Sequence, residues 1–466
     1  MVNWLLPARM NKGAGLGLAV AGVMLCALPA TGAQASAALR PGSSRSGQPK
    51  EPKERPLPDR LPDKPSLPPV FTVPVEPLGF SAPGPIYLGA RNSLVSLDFL
   101  DENRLLFTFR VPGLMHRDPD DREGNEERQI RAVVVALPEG KVESEALWTV
   151  HDRLRYLWML KDGHFLLRDR DGLEEGDAKL ELKPLLQFPG PLLWLELDPT
   201  QQLMVTNSRE PALEKANGAG DAQTTVRPSL NPGGQGKSDA GQNDPARTEV
   251  RKAELVLRIL HRESGQVLLV SRVPSTIHLP INADGYLDSL RGNGQQWLLN
   301  LNYFGGGSKL LGRVESACSP AFEFVSQREV LVTGCTGSGG RKLVAMDTGG
   351  HHLWEDSISA SAIWPMLVKA PDGSRLAHET MAVTHPVTPF APLDSEDVKG
   401  QLVRVFDSAN GKLALEAPAS PALDSGGNVA ISPSGQRVAV LNAGAIQIFD
   451  LPAAPPLPDA ANQTGH

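Results

Sequence analysis

Between Leu94 and Leu451 the chain alternates apolar with small or polar residues in short bursts, punctuated by Gly, Pro, Asn, Asp and Ser. The clearest set runs from Val429 to Leu451. Val429 and Ile431, then Val438 and Val440, then Ile446 and Ile448 keep the alternation that a half-buried strand requires. Ser432-Pro433-Ser434-Gly435 separates the first pair from the second. Proline presets φ early in a turn, and glycine accepts a positive φ near its end. Asn442-Ala443-Gly444 makes the next turn, and the last strand ends in Phe449-Asp450. A meander this small cannot bury both of its faces, so it has to stack on copies of itself.

The copies are found by their first turn. LDFLDENRLLFTF turns near Asp101, LWMLKDGHFLL near Lys161, LELDPTQQLMV near Pro199 and LDSLRGNGQQWLLNL near Gly292. FEFVSQREVLV turns near Ser326, MLVKAPDGSRLAHE near Pro371, and the last copy near Pro433. Extra polar stretches interrupt the series at Pro112–Ile130, Ser208–Val250 and Met381–Lys399. With these set aside the turns recur about every 42 residues, the length of a four-stranded propeller blade. The expected fold is all-β: a seven-bladed β-propeller of four-stranded antiparallel blades. An irregular β-sandwich with evenly spaced turns is the alternative, but seven units exceed what one sandwich needs. The last unit shows only three strands before Pro452. An N-terminal strand, Ile86-Tyr87-Leu88, is therefore expected to pair into it and close the ring, which removes open sheet edges.

Composition adds an address. Arg9 and Lys12 precede an apolar run from Gly13 to Leu28, and Ala33-Gln34-Ala35 offers small residues for cleavage before Ser36. That is the layout of a secretory signal; an uncleaved membrane anchor is its rival. Cys26 invites a lipoprotein reading, but Leu25 is too large for the position before a lipidated cysteine. The organisation expected is a signal peptide at 1–35, a Pro-rich disordered tether at 36–84, the propeller at 85–452 with a disordered insertion at about 208–250, and a disordered tail at 453–466. The tether reads as a spacer, with a proline-motif ligand as the other possibility. A net charge of −7 argues against nucleic-acid binding. The chain is expected to be exported (periplasmic, envelope-associated or secreted) and monomeric, touching a membrane only if the signal segment is kept as an anchor.

Each insertion falls between the second and third strands of its unit. Strand ends alternate between the faces of a meander, so all three should emerge on one face of the ring, where binding loops on a rigid scaffold reside. His116, His385, Phe390 and Asp394 are the candidate residues of that binding face. Cys318 and Cys335 bracket the turn near Ser326 almost symmetrically. In a hairpin this sets them opposite each other at its open end, within disulfide reach. The acidic residues from Asp118 to Glu127 miss the calcium-loop spacing, with Arg122 at a ligand position and Glu123 where glycine is needed. GCTGSGGRK lacks the Lys-Ser/Thr of a phosphate loop, and no Gly-x-Ser-x-Gly elbow occurs. His385 could pair with Asp394 or Glu396, and His378 stands beside Glu379. Trp158, Trp194, Trp297, Trp354 and Trp364 read as packing residues between blades. No catalytic residue, cofactor or metal ligand is assigned.

AISPSGQRVAVLNAGAIQIFDL and KAPDGSRLAHE…GQLVRVFDSANGKL resemble the blades of bacterial exported Trp-Asp-repeat-like propellers, with Phe406-Asp407 and Phe449-Asp450 where those repeats carry Trp-Asp. Ala345 to Trp354 is similar to the tryptophan-docking motif of quinoprotein propellers, though one residue short between Asp347 and Trp354. The resemblance implies a β-propeller of unassigned activity. The function expected is a binding or scaffold module of the envelope or periplasm, with a protein or small-ligand partner at the loop-rich face. A hydrolase or quinone-type oxidoreductase acting on a small ligand in the central channel is the alternative.

Overall fold

The computed structural model describes residues 61–84, 94–113, 116–117, 126–151, 155–211, 227–228, 253–337, 339–385, 393–423 and 426–456. Seven antiparallel sheets follow one another along the chain. The first is Ser96–Asp101, Arg104–Arg110, Glu126–Ala136 and Lys141–Val150, and the second Leu157–Met159, Phe165–Asp169, Gly172–Gly176 and Leu182–Gln187. The third is Leu192–Leu197, Leu203–Pro211, Ala253–His261 and Val267–Val273. The fourth has three strands, Gly285–Arg291, Gln296–Tyr303 and Ser308–Glu315. The fifth is Ala321–Ser326, Glu329–Cys335, Arg341–Asp347 and His352–Ile358; the sixth is Ala362–Lys369, Arg375–Val383, Val398–Asp407 and Leu413–Ala419. The seventh is Val429–Ile431, Arg437–Asn442, Ala445–Asp450 and, from the far end of the chain, Phe71–Pro74. The two helical turns described, Glu76–Leu78 and Ser395–Asp397, are short.

An apolar cluster fills every junction between neighbouring sheets, including that of the seventh with the first, so the sheets are the blades of a seven-bladed β-propeller. At the last junction Val73, Ala439, Leu441, Ile446 and Ile448 pack on Val95, Leu97, Phe107, Val133 and Val135. Trp354 joins the fifth blade to the sixth: its indole donates to the Ser408 carbonyl and its ring stacks on Phe406. Gly411 lies against that indole, where a Cβ would meet the ring at 2.7 Å. The aspartates that end third strands are anchors. Asp407 pairs with Arg375 at 2.7 Å, and Asp450 accepts from Arg437 at 2.9 Å.

Two expectations need correction. The first concerns the proline-rich arm. Phe71–Pro74 pairs antiparallel with Ala445–Ile448, the Ser66 amide donates to the Glu416 carbonyl at 2.7 Å, and Leu61 and Leu67 pack into junctions on either side of the sixth blade. Residues 61–84 thus run along the ring, and the sheet begins before residue 85. Proline lacks the N–H of a central strand but is tolerated on an outer one, and this is the outermost strand of its blade. The strand expected there, Ile86–Leu88, lies outside the described residues, as do residues 36–60.

The second correction concerns the fourth unit. Its turn near Gly292 lies on the opposite face from the other first turns. The Ser316 amide donates to the Gln295 carbonyl at 2.9 Å, and the Ala317 amide to Cys335 at 3.0 Å, at the far end of the second strand of the fifth blade. The turn that matches the others is at Ala283–Asp284. There Asn282 donates to the Gln327 carbonyl at 3.3 Å, and Gln327 to Asp198 Oδ2 at 3.1 Å, which ties together the first turns of three successive blades. The innermost course of the fourth blade is therefore residues 274–282, an irregular segment held to Tyr286 by one bridge at Ile281. Moving the turn there restores the spacing of about 42 residues to its neighbour. The blade has three strands because its inner one has left the ladder.

Candidate functional site

The first strands of the sixth, seventh, first and second blades touch in succession, so first strands line the axis of the ring. Six charged residues from six blades project from this inner wall. Asp98 comes from the first strand of the first blade, and Arg155 from the approach to that of the second. Glu196 belongs to the third blade, His278 to the irregular course of the fourth, Glu323 to the fifth and Lys369 to the sixth. Alternation explains why the sequence allows them: in each first strand the apolar neighbours enter the blade junctions, leaving the intervening position for the channel.

His278 Nε2 lies 2.9 Å from Glu196 Oε2, and the Trp194 ring meets the imidazole edge-on at 5.5 Å. Lys369 Nζ lies 2.7 Å from Glu323 Oε1 and donates to the Phe324 carbonyl at 2.8 Å. Arg155 Nε donates to the Leu157 carbonyl at 2.9 Å, and the guanidinium lies 5.3 Å from the centre of the Trp158 ring. Asp98 Oδ2 accepts from the Ser96 hydroxyl at 2.5 Å. These groups act on one another across the channel. Burial pushes the Asp98 carboxyl up, against the Ser96 hydrogen bond and the Arg155 charge. Enclosure by the surrounding ring wall draws the Arg155 guanidinium down although its tip meets solvent, with Asp98, Glu323 and Glu196 opposing. For Glu196 burial acts upward, but His278, Lys369 and Trp194 together hold the carboxyl below its ordinary value. For His278 burial acts downward, but Glu196 and then Glu323 outweigh it, and the imidazole titrates above its ordinary value. The result is a ring of fixed charges of both signs, able to orient a small polar molecule.

The three insertions do leave from second-to-third connections: Arg110 to Glu126, Pro211 to Ala253 and Val383 to Val398. Cys318 and Cys335 are disulfide-bonded with Cα atoms 5.4 Å apart, at the same face. His116 lies in a two-residue strand paired with the start of Glu126–Ala136, inside the stretch read as loop; its side chain lies outside the described residues. His385 is exposed and faces Asp397, with Nδ1 3.6 Å from Oδ1, rather than Asp394 or Glu396. Asp394 is exposed at the start of the Ser395–Asp397 turn, and Phe390 lies outside the described residues. Leu393 is buried with Ile363, Met381 and Val383, which pins the third loop to the rim. In the second insertion, Arg227–Pro228 pairs with Leu186 and Gln187 at the outer edge of the second blade.

His378 and Glu379 do not form a pair. They are adjacent in a strand and point to opposite junctions. Burial drives the His378 imidazole down to about 3 and, on the other side, the Glu379 carboxyl up to about 8. On the insertion face sequence reasoning missed His151, whose Nδ1 lies 3.0 Å from each Asp169 carboxylate oxygen and whose Nε2 lies 3.3 Å from Glu127. It also missed the channel cluster, although Asp98, Glu196, Glu323 and Lys369 all stand just ahead of a first turn in the repeated units. Among the described residues no group of three or more His, Cys, Asp or Glu side chains is placed to hold a metal ion. No helix among them is long and apolar enough to cross a membrane; Gly13–Leu28 lies outside them.

No protein-family profile matches the chain, and no curated protein matches it. Solved structures match at the level of fold. An acylaminoacyl peptidase of Pyrococcus horikoshii is similar at 10% identity and a TM-score of 0.42, over 78% of this chain and 52% of that one. The β-propeller domain of the Trilobed protease from Pyrococcus furiosus matches at 10% identity and 0.39, over 77% and 94%. A chain of a mitotic checkpoint complex matches at 9% identity and 0.31, over 89% and 98%. The chain spans about half the length of the peptidase it matches.

Proposed function

We propose that this propeller is an exported binding module that takes a protein partner on its insertion-bearing face. One observation carries the reading: all three long insertions, on the first, third and sixth blades, interrupt the same connection and so leave from the same side of the ring. Rigid rings that concentrate variable loops on one face are built to present them. The Cys318–Cys335 disulfide supports an oxidising compartment and stiffens that face where the fifth blade begins. Loop replacement tests the reading. A variant with residues 212–252 exchanged for a short Gly-Ser linker should keep the native melting temperature and lose the envelope protein that the native ring cross-links. An unchanged cross-linked set from the loop-exchanged ring would overturn it.

A further inference from the structure

Of the six channel charges, four are spent on one another: His278 with Glu196, and Lys369 with Glu323. The remaining two, Arg155 and Asp98, are not. Each is the leading opposite charge acting on the other, yet no ion pair joins them. Arg155 uses Nε on the Leu157 carbonyl, and its two terminal nitrogens meet no acceptor among the described residues. Asp98 uses Oδ2 on Ser96, and its Oδ1 meets no donor among them. Arg155 is exposed and Asp98 half-buried, so both reach the water of the channel. Contact with the Trp158 face restrains the guanidinium fork.

We propose that the central channel is a binding site for a small zwitterion of the α-amino-acid class, its carboxylate on the terminal nitrogens of Arg155 and its ammonium on Asp98. The planar fork matches a carboxylate through two parallel hydrogen bonds, which a point charge cannot do. An ammonium carries only donors, and Asp98 offers a free acceptor beside a pinned one. Glu196 and Glu323 also act on Arg155, but each is held by its own partner, His278 or Lys369, which leaves the terminal nitrogens of Arg155 open to a ligand. Low-dielectric walls focus this field along the channel.

Calorimetry and thermal shift on the native protein test this, with the full set of proteinogenic L-amino acids as probes. Acetate, ethylamine and L-alaninamide serve as fragments lacking one charge. At least one amino acid should give a saturable heat and raise the melting temperature, and the fragments should bind at least about tenfold more weakly. Arg155→Gln and Asp98→Asn should each weaken the amino acid by about tenfold or more, with Arg155→Lys recovering only part. The fragment comparison needs no variant and so stands if a substituted ring fails to fold. Absence of a saturable heat for every amino acid overturns the proposal. So does acetate binding as tightly as the best amino acid, or binding that survives both substitutions. Cross-linking by the Arg155→Gln ring should match the native set, which separates failure of this site from failure of the rim.

Discussion

The seventh and fourth blades are opposite solutions to the same problem. In the seventh, Val438, Ala439, Val440, Leu441, Ile446, Ile448 and Phe449 are all 0% exposed, and the strand Phe71–Pro74 finishes the ladder. Each of these apolar positions is committed to a neighbour. In the fourth, the inner course has left the ladder, and Tyr303, Phe304 and Leu310 stand 37%, 38% and 48% exposed. Gly285 marks the point where the chain rejoins the sheet: a Cβ there would lie 2.0 Å from the Asn302 carbonyl oxygen. In regular first strands the position between two junction-facing residues already reaches the axis, as at Asp98, Glu196, Glu323 and Lys369; in the fourth blade an irregular course brings His278 to the same wall. Apolar burial is concentrated where the repeat is cleanest, while the channel charges come from clean and broken blades alike.

The sharpest way to break this contrast is to damage each blade in turn. Val73 is 2% exposed among apolar neighbours, so Val73→Asp buries a carboxylate with no partner and should cost more than about 4 kcal/mol. Tyr303→Ser, at the surface of the fourth blade, should stay within about 0.5 kcal/mol of native. Urea midpoints read both. Similar losses from the two would mean that the blades share the load evenly.

The second test uses pH. Gln401 donates to Glu379 Oε1 at 2.5 Å and to the Leu423 carbonyl at 3.0 Å, linking Glu379 to the chain entering the seventh blade. Burial raises both Glu379 and, in the fifth blade, Glu329 to about 8. A carboxyl raised on folding holds its proton in the native state after the unfolded chain has lost it. Its stabilisation is full below the unfolded value and fades as pH climbs to the folded one. His378, lowered to about 3, acts oppositely: its contribution is present above the unfolded imidazole value and lost as pH falls. Stability should therefore fall between pH 6.5 and 8.5, by on the order of 3 kcal/mol. Glu379→Gln and Glu329→Gln should together flatten most of that slope. The same fall in the double variant would mean that other groups carry it.

An effect of at most similar size belongs to the junction between the irregular fourth blade and its neighbour. The Cys318–Cys335 disulfide spans 17 positions and fastens the connection leaving the fourth blade. Closing a loop of that length is worth about 3 kcal/mol. Cys318→Ser with Cys335→Ser should lower the melting temperature by several degrees, and reductant should lower the native protein to match. A reductant effect that persists in the double-serine variant would assign the loss elsewhere.

The turns explain how much could be read in advance. Six of the seven first turns fall where the alternation of Val, Ile, Leu and Phe around Pro, Gly and Asp puts them. The insertions and the disulfide follow from counting along the same meanders. The fourth unit misled because Gly292-Asn293-Gly294 is the stronger turn signal, while the alternating Ile277, Leu279 and Ile281 ahead of Asn282-Ala283-Asp284-Gly285 are interrupted by Pro280, which reads as loop rather than strand. The strand Phe71–Pro74 was hidden by the prolines around it, which say extended chain but not what it pairs with. The channel cluster was present as isolated letters. Periodicity reports which side chains share a face of one strand; it carries no information on which strands from different blades meet at an axis.

His278 supplies the finest measurement of the contrast between blades. Its side chain is 41% exposed and its partner Glu196 only 14%, so the pair sits at the water's edge rather than in the core. Screening there keeps its contribution to stability under about 1 kcal/mol, far below that of Val73. Its pKa is raised despite burial, through Glu196 first and Glu323 after it, so the charged imidazole persists above pH 6.5 and its small stabilisation is lost only as pH passes the folded value. An NMR titration of the His278 ring should show a midpoint above 6.5 that drops in Glu196→Gln, while the urea midpoint barely moves. A midpoint unmoved by Glu196→Gln would show that the fourth blade's inner course does not hold its imidazole against the third blade. A large loss of stability in Glu196→Gln would show that the irregular blade bears structural load after all, and the division between the clean and broken repeats would have to be redrawn.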